Sequence, residues 1–245
     1  MKDYILTVNG HNIKAQFDDE NIQNIFIPIL QKWTAMQKEK KRRILVLLAA
    51  PPGCGKTTLS LFLEYLSHQQ KDITPIQTIG MDGFHKYQNY LNCHYIERDG
   101  KQILMSEVKG CPETFDVEKL IKKIKETKIK DTYWPLYNRA IHNPEENKVF
   151  IDSQIVLIEG NYLLLNEKPW YEIPQLFDDS IFIEANPQEL KKRLVTRKML
   201  GGIPHHQAYE FYLTSDGINV SRVLNNSLKA NIHLKMKNNL FWREK

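Results

Sequence analysis

The chain has 245 residues, 34 Lys and Arg against 29 Asp and Glu, a formal net charge of +5 and an ordinary hydrophobic fraction of 42%. That is enough for one α/β domain of usual size, or two small ones, with a sizeable buried core. No run of about 18 apolar residues and no signal peptide is evident, so a cytoplasmic protein with no membrane partner is expected.

Three cysteines, Cys54, Cys93 and Cys111, lack metal-ligand spacing and cannot all pair with one another, which points to reduced thiols. Lysines crowd Lys38 to Arg43 and Lys119 to Lys130, where they read as solvated helix faces and ends. No aromatic-interleaved pattern accompanies them, so no nucleic-acid partner is expected. Nucleotide phosphates suffice to explain the positive excess. Internal repeats and low-complexity segments are absent.

Tyr4 to Val8 and Ile13 to Phe17 flank Asn9-Gly10, a hairpin turn signal. From Asp19 to about Gln37, Ile22, Ile25, Phe26, Ile29, Leu30 and Trp33 recur at helical spacing, with Pro28 expected to kink or split the helix. Residues 1–42 carry no catalytic constellation and read as a packing or dimerisation appendage. They precede a main domain over residues 43–245.

That domain opens with an apolar run, Ile44 to Ala49, followed by Ala50-Pro51-Pro52-Gly53-Cys54-Gly55-Lys56-Thr57 and a helix from about Lys56 to Gln69. A buried strand, a small-residue loop and a helix N-terminus are what a phosphate needs, in that order. Backbone N–H groups and the positive helix end face one point, Lys56 adds a mobile charge, and the Thr57 hydroxyl suits Mg²⁺. Pro52, Gly53, Cys54, Gly55, Lys56, Thr57 and Thr58 are therefore the candidate ATP contacts. Ala50 replaces the first glycine of G-x-x-x-x-G-K-[ST], which is tolerable at negative φ. The plainer reading is a glycine turn capping an ordinary helix. Cys54 is either a thiol of lowered pKa, beside a helix N-terminus and a lysine, or a small residue that fits the loop.

Pro75 to Gly80 reads as a second buried strand emptying into Met81-Asp82-Gly83-Phe84-His85. Strand C-terminal ends line the ligand crevice of a helix-wrapped parallel sheet. Asp82 is thus expected on the same edge as the phosphate loop, as a general base for a substrate hydroxyl. The rival is a common Asp-Gly turn. A long polar excursion follows from Lys86 to Gly110, with an Arg98-Asp99-Gly100-Lys101 turn; loops of that length are more often functional than idle. Thr114 or Asp116 can cap a helix from about Val117 to Thr127. Lys109 faces either a substrate or solvent.

The segment Trp134-Pro135-Leu136-Tyr137-Asn138-Arg139, with His142-Asn143-Pro144 after it, is expected to form a second substrate wall. Arg139 either offers its fork to a carboxylate or phosphate, or pairs with Glu145 or Glu146. Gln154 to Gly160 is a third buried strand ending in a carboxylate, Glu159, where P-loop proteins hold Mg²⁺ or its water shell. Tyr162 to Leu165 packs down toward a short helix near Trp170. Ser180 to Glu184 is a fourth strand, and Asn186, Pro187 and Glu189 start the next helix as a capping box. Arg193 and Arg197 share a face of it. They either close over a transferring phosphoryl group as lid arginines or belong to a solvated basic face. Gly201-Gly202 makes a hinge-like break before a helix from about Pro204 to Leu213. Ser215 to Asn219 reads as a polar turn, a further helical stretch follows, and Ala230 to Met236 as a last strand. The fold class expected is α/β: a three-layer P-loop NTPase fold with a mostly parallel sheet and helices on both faces, plus the N-terminal hairpin and helix.

Four pieces together carry a family resemblance: the Ala50 to Thr58 loop, Asp82-Gly83-Phe84-His85, Lys109 to Asp116, and Glu159-Gly160-Asn161-Tyr162. From about Arg43 to Lys237 the chain resembles the uridine kinase, phosphoribulokinase and bacterial pantothenate kinase group of P-loop kinases. Within it the chain is similar to the nucleoside/nucleotide kinase-like branch, which includes fructose-transport kinase-like members. The resemblance implies ATP- and Mg²⁺-dependent transfer of the γ-phosphoryl group to a hydroxyl of a small metabolite: a nucleoside, a sugar or a pantothenate-like alcohol. Lys56 would hold the β/γ-phosphates, Thr57 and Glu159 the Mg²⁺, and Asp82 the substrate hydroxyl. His85, Lys109, Tyr137, Arg139 and His142 would line the acceptor. Tyr137 falls where uridine kinases carry P-x-Y-D, with Asn138 in place of the aspartate.

Two other classes compete: a P-loop regulatory protein that uses a nucleotide as a switch, and a catalytically dead kinase fold acting as a scaffold. N-K-x-D and L-S-G-G-Q are both absent, and Asp82 would be idle in a switch. A small-molecule partner is expected, and a homodimer is a candidate assembly.

Overall fold

The computed structural model describes residues 1–8 and 11–243. In chain order the elements are β1 (Lys2–Val8), β2 (His11–Phe17), α1 (Asp19–Asn21), α2 (Ile27–Lys40), β3 (Ile44–Ala49), α3 (Lys56–His68) and β4 (Ile76–Gly80). Next come α4 (Gln88–Leu91), β5 (Tyr95–Arg98), β6 (Lys101–Leu104), α5 (Val117–Ile129), β7 (Thr132–Asn138), β8 (Asn143–Ile151) and β9 (Ile155–Gly160). The chain ends with β10 (Asp179–Ala185), α6 (Pro187–Leu200), α7 (His205–Phe211), α8 (Gly217–Asn226), β11 (Ile232–Lys237) and β12 (Leu240–Arg243). Two compact units result: residues 1–79 with 153–245, and residues 80–152.

The first unit is built on a six-stranded sheet of order β12-β11-β10-β3-β9-β4, flanked by helices. β10 runs parallel to both β3 and β11, and β3 runs parallel to β9. All of β3 and β9 is buried, as continuous Val/Ile/Leu runs in a parallel sheet must be. This is the α/β, mostly parallel P-loop architecture expected. One strand was not foreseen. β12 pairs antiparallel with β11 through Asn238 and Asn239, both at positive φ; asparagine is among the few side chains that tolerate that region.

Helix α3 buries Leu59, Phe62, Leu63 and Leu66, one stripe of a 3.6-residue repeat. The N-terminal hairpin packs there. Phe17 stacks on Phe62 at 3.7 Å between centroids, Tyr4 meets the same ring edge-on at 4.7 Å, and Leu6 and Ala15 join the same core. Its turn, Asn9-Gly10, lies outside the described residues. Glu64, on the same helix, accepts a hydrogen bond from the Thr78 amide of β4 at 3.0 Å, and burial pushes its carboxyl up to about 7.

Pro28 follows a π segment, Ile22–Phe26, that joins α1 to α2 without a break. The expected split does not occur: the widened π turn accommodates the proline's missing N–H, and the helix runs through it. Two adjacent aspartates before and in β10 fasten this N-terminal helix to the sheet. Asp178 accepts both arms of Arg42, at 2.6 and 3.0 Å, and also bonds Lys40. Asp179, 1% exposed, accepts from Lys32 at 2.7 Å, the Trp33 indole at 2.8 Å and Asn231 at 2.9 Å.

The expected polar turn at Ser215 to Asn219 is helical instead. A π segment, Tyr212–Asp216, joins α7 to α8 without a break. Gly217 is there for space: a Cβ would sit 2.8 Å from the Tyr212 carbonyl oxygen.

In the second unit the excursion expected from Lys86 to Gly110 is ordered structure. It comprises α4, the β5–β6 ribbon turned by Asp99 and Gly100 at positive φ, and a 3₁₀ turn over Met105–Val108. Leu91, Ile96, Met105, Val108 and Cys111 give it a small core of its own. The polar-aromatic segment after α5 proves to be a second antiparallel ribbon, β7–β8. Asp116, of the two capping candidates, caps α5 by accepting from the Lys119 amide at 3.0 Å.

Removing the Asp179 carboxylate leaves three donors without their shared acceptor. Asp179→Ala should lower unfolding free energy by about 3 kcal/mol in a urea titration, whereas Asp3→Ala, at an exposed ion pair, should leave the midpoint unchanged.

Candidate functional site

The candidate site residues fall into two groups, one in each unit. In the first, β3 leads straight into the glycine loop. The strained positions are Gly53 and Gly55, at φ +80° and +83°, while the buried Ala50 is not among the positive-φ residues. Gly53 is doubly required: a Cβ there would also lie 2.9 Å from Leu194 of α6. Gly55 closes the loop as the residue before α3, and its carbonyl accepts the first helical bond, from Leu59 at 3.0 Å. The amides of Lys56, Thr57 and Thr58 in the first turn meet no acceptor among the described residues. Unspent amides at a helix start, above two glycines, are a cradle for a phosphate.

Glu159 is brought beside that cradle by register. Leu48 and Ala49 of β3 lie opposite Glu159 and Gly160 of β9, so the last residues of both strands emerge together. The Thr57 hydroxyl donates to Glu159 Oε1 at 2.7 Å, and Lys56 Nζ lies 3.7 Å from Oε2. Thr57 and Glu159 are thus a hard-oxygen pair suited to Mg²⁺, and Lys56 stands next to it. The donor set fits a Mg²⁺-bound polyphosphate.

Cys54 of the loop is inert. Burial pushes its thiol up to about 12, against the pull of nearby Lys56, and it points at the Ile183 carbonyl. It is the small residue that fits, rather than a reactive thiol.

Asn186 caps α6 through the Gln188 amide at 2.8 Å. Glu189 does not complete the expected capping box but pairs with Arg193 one turn on. Arg193 also donates to Asn239, in the β11–β12 turn, at 2.8 Å. Sequence periodicity offered no sign of Asn239 as an anchor, because it is 46 residues away. Arg193 and Arg197 both line one open cavity of about 1400 Å³, with Lys235, Asn238 and Trp242 on its other side.

The second group is in residues 80–152. Gly83 permits the Met81–Phe84 turn to lie on β7: a Cβ would stand 2.2 Å from the Pro135 carbonyl oxygen. The Trp134 indole donates to the Gly80 carbonyl at 2.9 Å, and its ring packs on Phe84. This seating gathers Asp82, His85, Tyr137 and Arg139. His85 lies between Phe115 and Tyr137, with Nδ1 2.8 Å from the Asp82 carbonyl oxygen, and burial lowers its pKa. Burial also raises the Tyr137 phenol. Arg139 Nη2 is 4.0 Å from Asp82 Oδ2.

Lys109 turns to neither solvent nor Asp82. It donates to Gln88 Oε1 and to the His142 carbonyl, both at 2.7 Å, and lies 5.0 Å from the Tyr137 ring centre. Asn143 Oδ1 in turn accepts the Gln88 amide at 2.8 Å. Gln88 and Asn143 are thus bracing residues that the sequence did not reveal. His142 enters through its backbone carbonyl.

A model of the phosphoribulokinase / uridine kinase family matches residues 45–199. YggC, an uncharacterized protein of Escherichia coli (strain K12), is 43% identical over 232 residues, 94% of each chain. Among solved structures, a candidate fructose transport system kinase from Silicibacter sp. TM1040 is 28% identical, with a TM-score of 0.71 over 83% of this chain and 98% of that one. YFH7 from Saccharomyces cerevisiae, a candidate P-loop containing kinase with a circular permutation, has the same fold. Its TM-score is 0.71 over 88% and 99% of the two chains, at 16% identity.

Cys111 is buried, and burial pushes its thiol, like that of Cys54, up to about 12, whereas Cys93 is exposed. A disulfide reagent at pH 8 should therefore label Cys93 alone in the folded protein, and all three thiols in guanidinium. Rapid labelling of Cys54 in the folded state would contradict the buried loop described above.

Proposed function

The chain belongs to the phosphoribulokinase / uridine kinase family, and from that premise we propose that it is a P-loop kinase moving the γ-phosphoryl group of ATP to a hydroxyl of a small metabolite. One observation carries this reading. The unspent first-turn amides, Lys56 and the Thr57–Glu159 pair stand together at the start of α3.

In this reading Pro52 to Thr58 wrap the nucleotide phosphates. The amides of Gly55, Lys56, Thr57 and Thr58 donate to their oxygens, and Lys56 balances charge on the β and γ groups. Thr57 and Glu159 would hold Mg²⁺, which when bound neutralises phosphate charge and orients the triphosphate. Arg193, already aimed by Glu189 and Asn239, and Arg197, one turn further, stabilise charge spreading over the transferring group. The cavity they share with Trp242 takes the rest of the nucleotide. Residues 43–245 carry the reaction, and residues 1–42 buttress the helix that starts at the loop.

Asp82 orients the acceptor hydroxyl and takes its proton. Its side chain is 47% exposed, so a substrate can reach it. His85 and Tyr137 supply the flanking surface, with Lys109 and His142 holding that surface together. The acceptor is a nucleoside, a sugar or a pantothenate-like alcohol. Phosphoryl transfer asks little covalent chemistry of the protein, so positioning and charge neutralisation provide most of the rate. No helix is long and apolar enough to cross a membrane among the described residues.

Asp82→Asn keeps the shape of the site and removes the base. Turnover should fall about 10²- to 10⁴-fold, with MgATP affinity, read by displacement of a fluorescent nucleotide, unchanged within a few-fold. Undiminished turnover would remove Asp82 from this role. Lys56→Ala should weaken nucleotide binding in the same titration, and full affinity there would sink the phosphate-loop assignment.

A further inference from the structure

We propose that the acceptor is an anion, a small alcohol bearing a carboxylate or phosphate, and that Arg139 is the residue that selects it. The inference rests on the kinase reading of the same site and narrows its substrate.

The backbone at Arg139 is fixed by its predecessor. Asn138 Oδ1 accepts from the Ala140 and Ile141 amides at 2.9 and 3.4 Å, and its Nδ2 donates to Glu145 at 3.2 Å. An Asx turn of this kind holds the residue inside it in one orientation. The acidic residues close by in sequence do not neutralise the arginine. Glu145 is engaged by Lys148 and Asn138, and Glu146 by Lys119 and Tyr87. Its carboxylate neighbour is Asp82, at 4.0 Å, beyond hydrogen-bond range. None of the five N–H donors of Arg139 meets an acceptor among the described residues, and its side chain is 62% exposed.

Lys109, the other cation of this group, has two donors committed to Gln88 and His142 and lies against Tyr137. Of the two, Arg139 is therefore the cation whose donors are all unspent. Beside it are two acceptors. One is the Asp82 carboxylate. The other is His85: with Nδ1 against a carbonyl oxygen, the proton is assigned to that nitrogen, leaving Nε2 as an acceptor. A fork of donors next to a carboxylate and an imidazole acceptor matches a molecule with an oxyanion at one end and hydroxyls at the other. A neutral polyol would leave the fork unused.

The test compares acceptors with and without an anionic group: glycerate with glycerol, pantothenate with panthenol, and ribose 5-phosphate with ribose. ATP consumption is followed with the wild type, Arg139→Ala and Arg139→Lys, each checked for native melting. The charged member of at least one pair should be used with a kcat/KM at least ~10-fold higher, and Arg139→Ala should erase that preference mainly through KM. Partial recovery in Arg139→Lys is expected. The carboxylate and phosphate arms identify which oxyanion is read. Equal use of neutral and charged acceptors, or equal slowing of both by Arg139→Ala, overturns the proposal while leaving a kinase. If no acceptor is consumed, calorimetry with the same three anions decides. Binding lost in Arg139→Ala keeps the anion site and refutes the kinase, and no binding at millimolar concentration overturns the anion site.

Discussion

The hydrogen bond from Thr57 to Glu159 is the contact on which the first unit turns. It joins the first turn of a helix to the last turn of a strand, and it can form only if β3 and β9 are in the register that places Leu48 opposite Glu159. A carboxylate 7% exposed would be costly inside an all-apolar strand. The hydroxyl and the ammonium of Lys56 offset that cost. The same two residues that make the strand end tolerable are the ones a nucleotide would engage. Helix α6 is held to the loop by a second constraint: Leu194 occupies the space where a side chain on Gly53 would be. Its arginine is then aimed by Glu189 and Asn239 rather than left to search solvent.

Residues 80–152 solve a different problem, that of holding a polar site on a small core. Close backbone approach adds to side-chain burial there. Gly83 lies flat on Pro135, Trp134 reaches back to Gly80, and the Asp116 amide bonds the Phe84 carbonyl at 2.8 Å. Lys109 works in the same way. Its charge binds Gln88 to the His142 carbonyl, at the turn of the β7–β8 ribbon.

What was legible in the sequence was what is local. Strand, glycine loop and helix are adjacent in the chain, as are the Asp82 turn, the Asn186 cap and the Glu159 strand end, and each has a physical signature within about ten residues. The β7–β8 ribbon escaped notice because its residues alternate weakly, with Pro135 inside the strand and a register shift between Trp134 and Leu136. The helix through Ser215 to Asn219 was hidden by a glycine that serves packing against Tyr212 rather than a turn. Residues whose role depends on a distant partner, Gln88, Asn143 and Asn239, had no local signature at all. Arg139 was intermediate: its sequence left two partners open, Glu145 and Glu146, and both turned out to be occupied elsewhere.

Glu64 gives the molecule a dependence on acidity that its surface charges would not suggest. Burial on the phosphate-loop helix pushes the carboxyl up to about 7 in the folded chain, against 4.5 for an unhindered glutamate. The folded state therefore holds this proton more tightly than the unfolded state does, and the chain takes up a proton as it folds at intermediate pH. The stability linked to it is fully present below pH 4.5 and drains away as pH rises through 7. Above that, the phosphate-loop helix folds around a charge it must desolvate, with the Thr78 amide donating to it at 3.0 Å.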